Sequence, residues 1–121
     1  MLAQNDIADY AAAAAAVLTA ENPEAAVYEL AGDTGFTQDE FAQIVSDLTG
    51  EPVVVQPVSA DEHRAALTAA GLPDGAVEFV VSTDTAIADG ELADPNPGTL
   101  SSLIGRPTTP LRETLEAALK A

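Results

Sequence analysis

The chain has 121 residues, of which 20 are acidic and 4 are Lys or Arg, and its formal net charge at pH 7 is −16. This length suits one domain, and the absence of cysteine excludes a disulfide scaffold, a thiolate zinc site and a cysteine nucleophile. The acid excess argues against nucleic acid and against anionic membrane surfaces as partners, because both are bound through Lys and Arg.

The apolar run over residues 11–18 is too short to cross a membrane, since a spanning helix needs about 20 apolar residues. It follows Asp6 and Asp9 rather than the basic residues that open a signal peptide. We therefore interpret the run as part of a buried alanine-rich helix and expect a cytoplasmic protein.

The first two elements are predicted from their punctuation. Asp6 can cap a helix that runs through the alanine tract to about Ala20, and Asn22-Pro23 would stop it. Residues 26–30 form a short, partly alternating segment, which we interpret as a strand.

Two capping boxes mark the next two helices. Thr37 with Glu40 opens one helix and Ser59 with Glu62 opens the other, and we expect each helix to end at a glycine. Between them, the valine-rich residues 53–58 predict a strand, which two prolines would confine to an edge or a short ladder.

The C-terminal third is predicted to be helical. Residues 76–89 fit both strand propensity and one helical face, and we interpret them as a helix. A loop at 94–98, a short helix over 99–105 and a last helix capped by Thr109-Pro110 follow. Because two strands cannot form a sheet that is shielded on both faces, the predicted strands need partners outside this chain or from a second copy.

The turn from Gly32 to Gly35 lies between a predicted strand and a capped helix, which is where a phosphate-binding loop would stand. Its pattern is only G-x-x-G, no lysine follows, and the Asp33 carboxylate would repel a phosphate. We interpret it as a plain turn, with a pocket-lining loop as the alternative.

The remaining chemical signals do not complete a catalytic site. His63 is the sole histidine and cannot build an ordinary metal site alone. A G-x-S-x-G motif is absent, and neither Tyr10 nor Tyr28 has the lysine four residues later that many short-chain dehydrogenases carry.

Four segments, in this order and spacing, nevertheless resemble the C-terminal part of the NmrA-like atypical short-chain dehydrogenases, nearest to the type-2 NAD(P)H:quinone oxidoreductases. They are Asp9-Tyr10-Ala11 leading into the alanine-rich helix, VYELAGD at 27–33, AAGLPDG at 69–75 and TLSSLIGRPTT at 99–109. The resemblance covers nearly the whole chain.

This resemblance implies an α/β fold: the C-terminal portion of an NAD(P)-binding Rossmann-type protein, mostly helical with about two short strands, and without the N-terminal half that carries the glycine loop. Residues 1–35 would give a helix and a strand to the Rossmann sheet. Residues 36–121 would form a small, mainly helical substrate lobe with one short strand. NADP or NAD is implied for the full-length family, and no cofactor is expected for this chain alone.

The implied function is that of the substrate lobe of an NAD(P)H-dependent quinone oxidoreductase, inactive by itself, with a quinone as the small-molecule partner. The substrate-pocket candidates are Asp33, Thr34, Phe36 and Phe79. A non-enzymatic NmrA-like regulatory or protein-interaction module is the alternative. Exposed strand edges would favour a homo-oligomer.

Overall fold

The computed structural model describes residues 6–22, 26–93 and 97–121, and these ranges are mostly helical, as predicted. The helices are α1 (Ile7–Leu18), α2 (Gln38–Thr49), α3 (Ala60–Ala69), α4 (Asp74–Ala88), α5 (Thr99–Ile104) and α6 (Leu111–Lys120). The predicted stop at Pro23 and residues 94–96 of the predicted loop lie outside the described residues.

The predicted caps at the starts of α1, α2 and α3 are confirmed. Asp6 accepts a hydrogen bond from the backbone N–H of Ala8 at 2.8 Å. Both capping boxes form, with Thr37 and Glu40 on α2 and with Ser59 and Glu62 on α3. Local side-chain chemistry therefore sets where these helices begin.

The ambiguous segment 76–89 is helical up to Ala88, the last residue of α4, and Asp89 is the C-cap. The valines at positions 77 and 81 share the buried face of this helix. The start of α6 differs from the prediction by one position. Pro110 is the N-cap residue, and the helix begins at Leu111. Thr109 does not cap α6, because its hydroxyl donates to Asp9 at 3.1 Å.

The two predicted strands are not formed in the described residues. Residues 26–30 and 53–58 belong to neither a helix nor a strand, and Val27 and Val54 are 93% and 84% exposed. A strand is stabilised only when its backbone pairs with a neighbour. At Val53 the backbone is instead bound to a nearby side chain: its N–H donates to the Ser46 hydroxyl at 2.8 Å, and that hydroxyl donates to its carbonyl oxygen at 3.3 Å. The predicted strands are thus absent in the described residues of the chain by itself, because the sequence pattern specifies extended backbone but does not supply the pairing partner.

Among the described helices, three pairs pack together: α1 with α5, α2 with α6, and α3 with α4. The buried apolar side chains are small or branched: Ala13, Ala42, Val77, Val81 and Leu100. Small residues such as Ala13 let the α1 and α5 backbones approach closely, and Leu100 fills the space beside them without exposure.

Helices α3 and α4 form the α3–α4 hairpin, residues 60–88. Charged side chains link its helices, with His63 Nδ1 lying 3.3 Å from Asp84 Oδ2 and Arg64 Nε lying 2.6 Å from Glu78 Oε1. None of the helices in the described ranges has the length and apolarity that a membrane crossing requires.

Candidate functional site

The candidate site begins with a buried carboxylate on the first helix. Asp9 is completely buried and accepts hydrogen bonds from the backbone N–H of Thr109 at 2.6 Å and from its hydroxyl at 3.1 Å. The Arg106 guanidinium lies 2.6 Å from the same carboxylate. Asp9 therefore holds a segment that is 100 residues away along the chain.

A second carboxylate binds the neighbouring residue of that segment. Asp33 accepts from the Thr108 backbone N–H at 3.0 Å, and its own N–H donates to the Thr108 hydroxyl at 3.0 Å. The Thr108 N–H, with the Ser101 side chain contributing, lowers the pKa of Asp33. We call the set Asp9, Asp33, Arg106, Thr108 and Thr109 the carboxylate clasp.

The carboxylate clasp fixes one wall of a cavity of about 630 Å³, which we call the Phe36 cavity. Most of the other lining residues belong to the turn before α2 and to the first half of that helix. The lining residues are Asp33, Thr34, Gly35, Phe36, Glu40, Gln43, Ile44, Pro107, Thr108, Thr109, Pro110, Leu111 and Arg112. The Phe36 ring stacks against the Phe41 ring, with centroids 6.3 Å apart and planes 26° apart.

The Phe36 cavity is lined by more negative than positive side chains. Glu40 accepts from the Thr37 N–H at 2.7 Å, and this hydrogen bond lowers the pKa of Glu40. Arg112 contributes a guanidinium, which lies 3.6 Å from Asp47 and 3.4 Å from Glu116. The cavity therefore carries lining carboxylates that are ionised at neutral pH and a cation that is already paired.

Three of the four predicted pocket residues come together in this cavity. Asp33, Thr34 and Phe36 line it, whereas Phe79 is on α4, is 71% exposed and is not among the lining residues. A role for these four residues in substrate binding stays a prediction.

Sequence reasoning missed the wall formed by residues 107–112. Thr108 is 75 residues from Asp33, so no local pattern joins them. A signal was nevertheless present, because the segment that ends in Arg-Pro-Thr-Thr is one of the four on which the family resemblance rests.

The sole histidine and the acidic side chains outside the cavity were also considered as sites. His63 is engaged with Asp84 on the surface of the α3–α4 hairpin. In the ranges that the structure describes, no three His, Cys, Asp or Glu side chains are grouped closely enough to hold a metal ion.

No family model matches the chain. A curated relative, quinone oxidoreductase 2 of Escherichia coli strain K12, is 43% identical over 108 residues, which are 89% of this chain and 37% of that protein. The chain thus spans little more than a third of the length of this relative.

Solved structures extend the similarity to the fold. A crystal structure of the NADPH-dependent quinone oxidoreductase from E. coli matches with a TM-score of 0.91 and 40% identity, over 98% of this chain and 42% of that one. The triphenylmethane reductase of Citrobacter sp., complexed with NADP(H), matches with a TM-score of 0.89 and 38% identity, over 97% of this chain and 40% of that one. The chain therefore resembles the C-terminal portion of an NmrA-like quinone reductase, as its sequence predicts.

Proposed function

We propose that this chain is the substrate-lobe portion of an NADPH-dependent quinone oxidoreductase, in which hydride passes from the nicotinamide to a quinone. The observation that carries the proposal is the Phe36 cavity, where predicted pocket residues of a quinone-reductase-like sequence line one space of about 630 Å³. This volume lies within the range of small-molecule pockets, about 300–1,000 Å³.

The lining of the Phe36 cavity suits a flat ring with polar edges. Phe36, Ile44 and Leu111 offer apolar surface, which would exclude water from a bound ring. The Thr34 hydroxyl stands in the same lining and can donate to a carbonyl oxygen. The Gln43 amide also lines the cavity, and it has a second N–H besides the one that donates to Asp47 at 2.8 Å. These side chains would bind and orient the acceptor, and the nicotinamide would supply the hydride.

The described residues do not fit the phosphates of a dinucleotide. The turn at 32–35 carries the Asp33 carboxylate, which is engaged with Thr108. Arg64, Arg106 and Arg112 each lie within ion-pair distance of at least one carboxylate. We therefore propose that NADPH is bound by a separate nucleotide-binding portion, and we expect little or no reductase activity from the 121 residues alone.

We propose that the outer face of α1 docks this nucleotide-binding portion, as expected if residues 1–35 join a Rossmann sheet. The exposed positions of α1 are all apolar, and its end residues Ile7 and Leu18 are 85% and 83% exposed. An exposed helix face normally carries polar residues, so an apolar outer face is typical of a helix that packs against a further element on that side. The residues predicted as strands, 26–30 and 53–58, would gain backbone partners in the same assembly.

Complementation tests the proposal. The 121-residue chain is mixed with the part of E. coli quinone oxidoreductase 2 that lies outside the matched region. We expect a 1:1 complex by analytical ultracentrifugation and NADPH-dependent reduction of a naphthoquinone by that complex. Micromolar NADPH affinity or turnover by the 121-residue chain alone would contradict it.

Two variants in which an exposed alanine is replaced by lysine locate the docking face. Ala14 is exposed on α1 and Ala66 is exposed on α3. We expect Ala14→Lys to prevent complex formation, because it places a charge within the apolar face, and Ala66→Lys to leave the complex intact. Equal behaviour of the two variants would place the docking face elsewhere.

The alternative proposal is a non-enzymatic NmrA-like interaction module, which the paired arginines and the exposed valines both favour. In that case the same apolar segments would bind a partner or a second copy of the chain, although a net charge of −16 opposes self-association. A complex that forms without turnover, or a stable homodimer in sedimentation, would favour this alternative.

A further inference from the structure

The ionisable groups of the Phe36 cavity point to selection of its ligand by charge. Resting on the function proposed above, we propose that this cavity takes uncharged or cationic ring compounds as electron acceptors and discriminates against anionic ones. This proposal specifies the charge of the acceptor, which the term quinone alone does not.

The negative side of this balance is fixed by hydrogen bonds. Asp33 is held by Thr108, and Glu40 is held by the N–H of Thr37, so both carboxylates are favoured in the charged form. Neither group can turn away from the cavity without losing a bond that supports the clasp or the α2 cap. An anionic ligand would therefore meet two positioned negative charges.

The positive charge in the cavity lining is that of Arg112, and it has two carboxylates beside it before a ligand binds. Arg112 reaches Asp47 on α2 and Glu116 one turn along α6. An anionic ligand that approached Arg112 would share the guanidinium with these two carboxylates, which weakens its attraction. Among the residues that line the cavity, two carboxylates, those of Asp33 and Glu40, therefore stand against one guanidinium, that of Arg112.

The size of the effect follows from Coulomb's law in a partly solvated site. A unit charge a few ångströms from a net excess of carboxylates is disfavoured by an amount that corresponds to about a fivefold to tenfold loss of affinity. Salt shortens the reach of this repulsion, because the Debye length falls from about 30 Å at 0.01 M to about 8 Å at 0.15 M. The discrimination should therefore narrow as salt is added.

The test compares two probes with the same ring system, 2-methyl-1,4-naphthoquinone and 1,4-naphthoquinone-2-sulfonate. Each is titrated into the 121-residue chain at low salt, and binding is followed by amide NMR shifts at the cavity lining. We expect the sulfonate to bind at least about fivefold more weakly, and the ratio to fall towards one in 0.5 M NaCl.

Two glutamates give a matched pair of variants. Glu40 and Glu62 occupy the same position in the two capping boxes, but Glu40 lines the cavity and Glu62 does not. Glutamine preserves the box chemistry. We expect Glu40→Gln to raise sulfonate affinity about threefold, while Glu62→Gln leaves it unchanged; a mere size difference between the probes would not respond to either.

Releasing Arg112 gives the converse test. The double variant Asp47→Asn/Glu116→Gln should strengthen sulfonate binding more than quinone binding, because the guanidinium then has no competing carboxylate among these partners. Equal affinities for the two probes in the unaltered chain, a tighter sulfonate, or no shifts at the cavity with either probe would overturn the inference. Charge discrimination with no turnover in the reconstituted complex would leave the selection of ligands by charge standing, but would reject the proposed function and with it the role of these ligands as electron acceptors.

Discussion

The carboxylate clasp and the α3–α4 hairpin use the same kinds of charged residue in opposite ways. In the clasp, the buried Asp9 binds backbone and side-chain donors 100 residues away. In the hairpin, Arg64 binds Glu78 only 14 residues away, and both side chains are substantially exposed.

This difference distinguishes charges that stabilise the fold from charges that contribute little to its stability. A buried carboxylate cannot exchange its partners for water, so losing them leaves an uncompensated charge. An exposed pair is solvated whether or not it is formed, so its net contribution is small. The clasp also shapes the Phe36 cavity, whereas the hairpin contributes no residue to its lining.

Replacing the buried carboxylate should give the largest effect. Asp9→Ala removes the acceptor for Thr109 and the partner of Arg106, and we expect a loss of about 3 kcal/mol in the free energy of unfolding. Urea unfolding followed by circular dichroism at 222 nm measures it. The control is Asp61→Ala, since Asp61 is 97% exposed in its pair with Arg64; similar losses in both variants would erase the distinction between the two regions.

The hairpin should be sensitive through its apolar residues instead. Val81 is buried on α4, and Val81→Ala should cost about 2 kcal/mol by removing buried methyl groups. Native-state hydrogen exchange should accelerate most in α3 and α4. Val54→Ala, at an exposed valine, serves as the control and should change little, and exchange that accelerates equally in α1 and α5 would show that the hairpin does not respond as a separate unit.

The acid stability of the clasp should report on Asp33. Its pKa is lowered in the folded chain, so the stability it contributes is present above its unfolded value of about 3.8 and is lost as pH falls through the lower folded value. The difference in unfolding free energy between the unaltered chain and Asp33→Asn should therefore be constant near neutrality and shrink in acid.

The hydrogen-bond geometry supplies a control for that experiment. Thr108→Val removes the hydroxyl but keeps the backbone N–H, which is the main cause of the lowered pKa. We expect this variant to retain most of the pH dependence. A flat profile in the unaltered chain would contradict the assignment.

Local chemistry explains what could be predicted from the sequence. The boxes of Thr37 with Glu40 and Ser59 with Glu62 each act across three residues, so both helix starts were predictable. Asp33, Thr34 and Phe36 are also close together in the sequence, so their presence in one cavity was predictable for the same reason.

Long-range partners explain what could not be predicted. Residues 26–30 and 53–58 have strand-like patterns, but a pattern carries no information on whether a pairing neighbour is present. The hydroxyl of Thr109 was interpreted as a cap for α6, yet it binds Asp9 because the fold brings a buried carboxylate beside it. The second wall of the Phe36 cavity was missed on the same ground.

The smallest effect should come from the surface pairs of the hairpin. Arg64 donates to Glu78 at 2.6 Å and 3.3 Å and to Asp61 at 2.8 Å. These bonds raise the pKa of Arg64, whose guanidinium stays charged at neutral pH. Because Arg64 does not lose its charge, the contribution of these pairs to stability should depend on ionic strength rather than on titration of the arginine. We expect the difference in melting temperature between the unaltered chain and Arg64→Gln to be small in 0.05 M NaCl and to vanish in 0.5 M, because salt screens exposed pairs. The difference in melting temperature between the unaltered chain and Asp9→Ala should persist across the same range of salt, since the Asp9 carboxylate is buried away from solvent. A salt-sensitive difference for Asp9→Ala together with a salt-resistant one for Arg64→Gln would reverse the roles of the two regions.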